Sequence, residues 1–136
     1  MAEPDLDANP PPERNLLKHA ILALAQPGEV QLSLFPDFVC RADELALNFE
    51  DGLYELVGHY DEVSESQLAA VRALETRLAE MSGGHNAELW TDDAVLSDPI
   101  WEDIRSLAKA AAAAFGWELE PPPSGGPVYV PSGGRW

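Results

Sequence analysis

Residues 38–60, FVCRADELALNFEDGLYELVGHY, decide how the fold is read. Their apolar residues fall at Phe38, Ala42, Leu45, Phe49, Leu53, Leu56 and Tyr60, in steps of 4, 3, 4, 4, 3 and 4. That spacing gathers one face of a 3.6-residue helix. Asp43, Glu44, Glu50, Asp51 and Glu55 fall on the opposite side. The stretch predicts a long amphipathic helix over 37–59, with an apolar core face and an acidic back. Gly52 inside it costs about 1 kcal/mol relative to alanine, and Gly58 loosens its last turn.

Three more helices are legible on either side. After Pro12, which suits a first helical turn, Leu16, Leu17, Ala20, Ile21 and Leu24 make one apolar face. Pro27-Gly28 ends it, giving a helix over 13–25. Ser64 and Gln67 form the S-x-x-Q pattern of a capping box. The helix it opens, 65–82, carries Leu68, Val71, Leu74, Leu78 and Met81 on one side, and Gly83-Gly84 stops it. Ser97-Asp98-Pro99 is another start signal. Trp101, Ile104, Ala108, Ala111 and Phe115 then form a stripe over 99–115, ended by Gly116.

Between these lie two shorter pieces. Val30, Leu32 and Leu34 alternate with Gln31 and Ser33, a period-2 pattern that predicts an extended segment crossing the bundle. Thr91-Asp92-Asp93 predicts a capped short turn through Leu96. The expected fold is all-α: an antiparallel bundle of about four helices with short connections. Residues 1–12 are expected as a flexible arm, 13–116 as the bundle domain, and 117–136 as a Pro/Gly-rich tail. Trp117, the triplet Val128-Tyr129-Val130 and Trp136 make that tail unlike an inert linker.

Charge and composition narrow the function. The formal net charge is −16 over 136 residues. A nucleic-acid backbone or an anionic lipid surface recruits clustered Lys and Arg, so neither is an expected partner. The acid favours fast encounter with basic proteins. The single cysteine, Cys40, suits a reducing cytoplasm, and its setting suggests a small core residue rather than a nucleophile. The acidic N-terminus lacks the basic region of a signal peptide.

Tests for particular chemistry come back negative. Asp5, Asp7 and Asn9 begin like a calcium loop, but Pro10 and Leu16 stand where glycine and glutamate belong. His19, His59 and His85 match neither zinc nor di-iron spacing. No phosphate loop or serine elbow is present. No cofactor is expected, and no residue argues for an enzyme. Trp90 and Trp101 flank an Asp-rich loop, and pairs so placed most often pin the loop to a core.

One constellation points to a partner. Leu47 and Tyr54 lie off the main stripe, one heptad apart, with Asp43, Glu50, Asp51 and Glu55 around them. Apolar anchors ringed by acid suit a basic protein surface. The commoner alternative is a helix buried on two sides, with Leu47 and Tyr54 as second-face core. The expected function is a small acidic protein-binding module, of the inhibitor, immunity or antitoxin type. A structural or regulatory helical subunit acting as a homo-oligomer is the next class. An enzyme or small-ligand carrier with a pocket near His59, Tyr60 or Trp90 is the third.

Overall fold

A computed structural model describes residues 13–122. It is an all-α bundle of six helices, four of them long, with no strand among the described residues. They are α1 (Glu13–Leu24), α2 (Gly28–Ser33), α3 (Arg41–Leu53), α4 (Glu65–Glu80), α5 (Asp92–Ser97) and α6 (Pro99–Phe115). Short 3₁₀ turns occupy Tyr54–Leu56 and Tyr60–Glu62, and two more, joined by a kink at Asn86, occupy Gly84–Trp90. The expected arm at 1–12, and the tail residues Val128-Tyr129-Val130 and Trp136, lie outside the described residues.

The core forms where the apolar stripes meet. Ile21 and Leu24 of α1, Leu45 and Phe49 of α3, Leu74 of α4, and Trp101 and Ile104 of α6 are all essentially buried. Ala108, Ala111 and Ala112 are also buried, and their small side chains let α6 lie close to its neighbours. α1 packs along α3 on one side and α6 on the other, and α6 packs along α4. The order around the bundle is therefore α3, α1, α6, α4. Among the described residues α3 and α4 share no comparable seam. That side of the bundle stands open.

The start signals work as their chemistry requires. Ser64 Oγ accepts from Gln67 N at 3.1 Å, and Gln67 Oε1 accepts from Ser64 N at 2.9 Å. Asp98 Oδ1 accepts from Ile100 N at 3.0 Å, ahead of Pro99 in the first turn of α6. Ser64→Ala removes one arm of the box and is expected to cost about 1 kcal/mol in urea unfolding. Thr91 Oγ1 accepts from Ala94 N at 3.1 Å, and the short turn expected there is a six-residue helix, α5.

Two expectations are corrected. The extended segment at 30–34 is instead the helix α2 and the turn after it. The period-2 pattern misleads because the inward residue is the polar one. Gln31 is fully buried while Val30 and Leu32 are only half-buried. Its Nε2 donates to Ala23 O at 3.2 Å and Leu24 O at 3.0 Å, satisfying carbonyls at the end of α1. Its Oε1 accepts from Arg105 at 3.0 Å.

The long helix at 37–59 is also shorter than its apolar repeat. Regular α-helix runs only over Arg41–Leu53, and the chain tightens into a 3₁₀ turn before Gly58 adopts φ 82°. That left-handed conformation ends the element. Phe38 and Tyr60, the outer members of the repeat, are consequently exposed. Gly52 does not break α3. A Cβ there would lie 2.6 Å from Leu17 Cα and 2.9 Å from Leu17 N. Glycine is what lets α1 and α3 touch backbone to backbone.

Trp90 and Trp101 act as loop pins. Their rings meet edge-on at 5.8 Å. Trp90 Nε1 donates to Met81 O at 2.9 Å and Trp101 Nε1 donates to Leu89 O at 2.8 Å. Past α6, Trp117 stacks on Phe115 at 4.3 Å, so packing on the bundle continues beyond Gly116.

Candidate functional site

The open side between α3 and α4 is a groove of about 710 Å³. Leu47, Glu50, Asp51, Leu53 and Tyr54 line it from α3 and the turn that follows. Glu75, Leu78 and Ala79 line it from α4, while Val57 and Tyr60 close one end. Phe49 and Leu78 are buried and form the floor. Tyr54 is 76% exposed, Val57 58% and Tyr60 44%. They are three of the seven large exposed hydrophobics among the described residues, so apolar exposure is concentrated here.

Local chain geometry makes this concentration. The 3₁₀ turn at Tyr54–Leu56 rotates Leu56 into the core while leaving Tyr54 outside. Gly58 then bends the chain, and the Tyr60–Glu62 turn sets Tyr60 against the end of the groove. His59 Nδ1 meets Glu62 Oε2 at 2.8 Å on the solvent side.

Every charged side chain that lines the groove is acidic: Glu50, Asp51 and Glu75. The rim already holds one cation. Arg72 Nη1 lies 3.7 Å from Glu75 Oε1, and its guanidinium sits 5.8 Å from the centroid of the Tyr60 ring. An aromatic face beside a carboxylate is a natural guanidinium seat.

Of the six residues singled out from sequence, the groove brings four together: Leu47, Glu50, Asp51 and Tyr54. Asp43 lies in the first turn of α3, away from the groove and beside Cys40. Glu55 is turned toward α1. Its Oε2 accepts from Leu16 N at 2.9 Å and its Oε1 from Leu17 N at 3.1 Å. A carboxylate bound to backbone N–H groups at a helix start is favoured by the helix dipole. Glu55→Gln keeps the shape but loses the charge and one acceptor. It is expected to lower stability by about 1–2 kcal/mol, read from chemical denaturation.

Sequence reasoning missed Leu53, Val57 and Tyr60 as groove residues, and the whole α4 wall. Leu53 and Tyr60 belong to the core repeat by spacing. Leu53 stays half-buried against the core while also lining the groove, and only Tyr60, past the end of α3 and Gly58, is left outside. The α4 wall has a faint signal in Glu75 and Ala79, one turn apart beside Leu78.

Other reactive groups are accounted for structurally. Cys40 is exposed rather than a core residue. Its thiol donates to Trp90 O at 3.5 Å, and partial desolvation raises its pKa, against nucleophile chemistry. Burial, aided by Lys18, lowers the pKa of His19 in α1. His59 and Trp90 do not line the groove. Among the described residues no three His, Cys, Asp or Glu side chains converge as metal ligands. None of the described helices is long and apolar enough to cross a membrane.

Comparison of the chain with protein-family models, with curated proteins and with solved structures finds no match.

Proposed function

We propose that this protein is a small acidic binding module that covers a basic surface of a partner protein. An inhibitor, immunity protein or antitoxin-like role is the concrete form. The observation that carries it is Tyr54, 76% exposed on the open side of the bundle, in a groove whose charged lining is entirely acidic. An apolar anchor within acid offers both halves of recognition: burial for affinity, and charge for encounter rate and discrimination. The chain's net charge of −16 extends the same field beyond the groove.

A homo-oligomer through α6 or the C-terminal tail is the alternative reading. Trp101, Ala108 and Ala111 of α6 are buried in the core, and most of the tail lies outside the described residues.

The test is capture of partners from the source cell on the immobilised protein, followed by binding of each purified partner across a salt series. Basic partners whose affinity falls steeply as salt rises are expected. Capture of acidic partners only, or salt-insensitive binding, would sink the reading.

A further inference from the structure

We infer that the α3/α4 groove takes one amphipathic, Arg- and Lys-bearing α-helix of the partner, laid along the open side of the bundle. This rests on the acidic-module reading above and specifies its ligand. Four features select a helix rather than another kind of segment.

First, the lining runs from Leu47 to Tyr54 along α3 and from Glu75 to Ser82 along α4 and its last turn, so the groove is about 11 Å long, the span of about two helical turns. Second, the missing seam between α3 and α4 leaves a gap bounded by two helices that each pack fully elsewhere. A helix set there puts its ridges into grooves of both walls, as the bundle's own helices do. Third, no strand edge exists among the described residues, so an extended peptide finds no backbone ladder to join. Fourth, the volume of about 710 Å³ admits a few large side chains rather than a whole helix. The partner's backbone rides above the rim while apolar side chains at i, i+4 and i+7 reach Leu53, Leu78 and Ala79.

Charge fixes the rest of the ligand. Glu50 and Asp51 stand on the α3 rim and Glu75 on the α4 rim, so cations are favoured on both flanks of the incoming helix. Tyr54 offers a ring face beside the carboxylates of the α3 rim. Arg72 between Tyr60 and Glu75 displays the same chemistry within the chain. A second copy of this protein is disfavoured, because it brings net negative charge to an acidic rim.

The experiment uses the full chain and three fluorescein-labelled peptides of about 18 residues each. The first has Leu along one helical face and Lys and Arg along the other. The second is its scrambled isomer, with the same charge and composition but no apolar face. The third is the amphipathic pattern with Lys and Arg replaced by Glu. Binding is read by fluorescence anisotropy, with wild type and with Tyr54→Ala, Ala79→Glu and Glu50→Gln/Glu75→Gln. Circular dichroism melting checks that each variant folds; the substituted side chains are exposed or half-buried.

The expected result is that the basic amphipathic peptide binds at least about tenfold tighter than its scramble, and that the acidic peptide does not bind. Tyr54→Ala and Ala79→Glu each weaken it about tenfold or more, and the double carboxamide variant flattens its salt dependence. Equal binding of the scramble would overturn the helix while leaving the acidic-module reading in place. Failure of both basic peptides would overturn both. Undiminished binding to Tyr54→Ala and Ala79→Glu would overturn the groove as the site. Dimerisation of the free protein through this face, seen in sedimentation and reversed by Ala79→Glu, would put a second copy there instead.

Discussion

Replacing Arg105 by alanine is expected to lower the unfolding free energy by about 3–5 kcal/mol. Arg105 is buried, and one guanidinium nitrogen donates to Gln31 Oε1 and to Val95 O, both at 3.0 Å. Gln31 in turn binds the last carbonyls of α1. One chain of hydrogen bonds thus ties α1, α2, α5 and α6. Removing Arg105 strands two buried acceptors and opens a cavity beside them. The guanidinium's other contact, Glu102 Oε2 at 2.9 Å, belongs to a side chain that is 72% exposed. Glu102→Gln is therefore expected to cost no more than about 0.5 kcal/mol. Urea unfolding of both variants checks the contrast. Pairing Arg105→Met with Gln31→Leu in a double-mutant cycle should recover about 1–2 kcal/mol of the summed losses. Strict additivity would mean that the two residues do not act as one network.

Gly52→Ala should be nearly as damaging, although alanine is the better helix former. Helix propensity alone favours the change by about 1 kcal/mol. The added Cβ, however, meets backbone atoms of Leu17 at 2.6 and 2.9 Å, and backbone cannot rotate aside. α1 and α3 must separate along their seam. The same movement pulls Leu16 and Leu17 from the Glu55 carboxylate that caps them. A net loss of about 2–3 kcal/mol is expected in chemical denaturation. Glu55→Gln added to Gly52→Ala should cost less than it does alone, because the cap is already strained. A neutral or stabilising Gly52→Ala would show that the close approach is not required.

Local rules were sufficient where each signal acts within one helix. The Ser64–Gln67 box, the Asp98-Pro99 start and the stripes of α4 and α6 all depend on neighbours three or four residues apart, and all appear at the expected places. In α1 Leu17, Ala20, Ile21 and Leu24 are buried as expected, but Leu16 is exposed, and Leu22 and Ala23, off the expected face, are buried. Reading failed where a distant group decides. Gln31 looks like a solvent residue until Arg105, 74 positions away, and the carbonyls of Ala23 and Leu24 give it buried partners. Glu55 looks like one more acid on the back of a helix until the N–H groups of Leu16 and Leu17 turn it into a cap. Gly52 looks like a flaw until Leu17 arrives against it.

The groove is a mixed case. Its α3 wall was visible in Leu47, Glu50, Asp51 and Tyr54, because a heptad spacing off the core stripe marks a second face. Its α4 wall was not, because nothing in a sequence states which two helices of a bundle leave their seam unfilled. The apolar repeat that suggested a longer buried helix also hid Tyr60, which the Gly58 turn brings back to the rim.

The central claim is that the open α3/α4 side is the binding surface. Its most direct measurement is a ¹H–¹⁵N correlation spectrum of the full chain titrated with the basic amphipathic peptide. Shifts concentrated on Leu47, Glu50, Asp51, Tyr54, Glu75 and Ala79, with the α1–α6 seam unmoved, are the predicted result. Shifts spread evenly over acidic residues outside the groove, with Tyr54 and Ala79 unaffected, would contradict it.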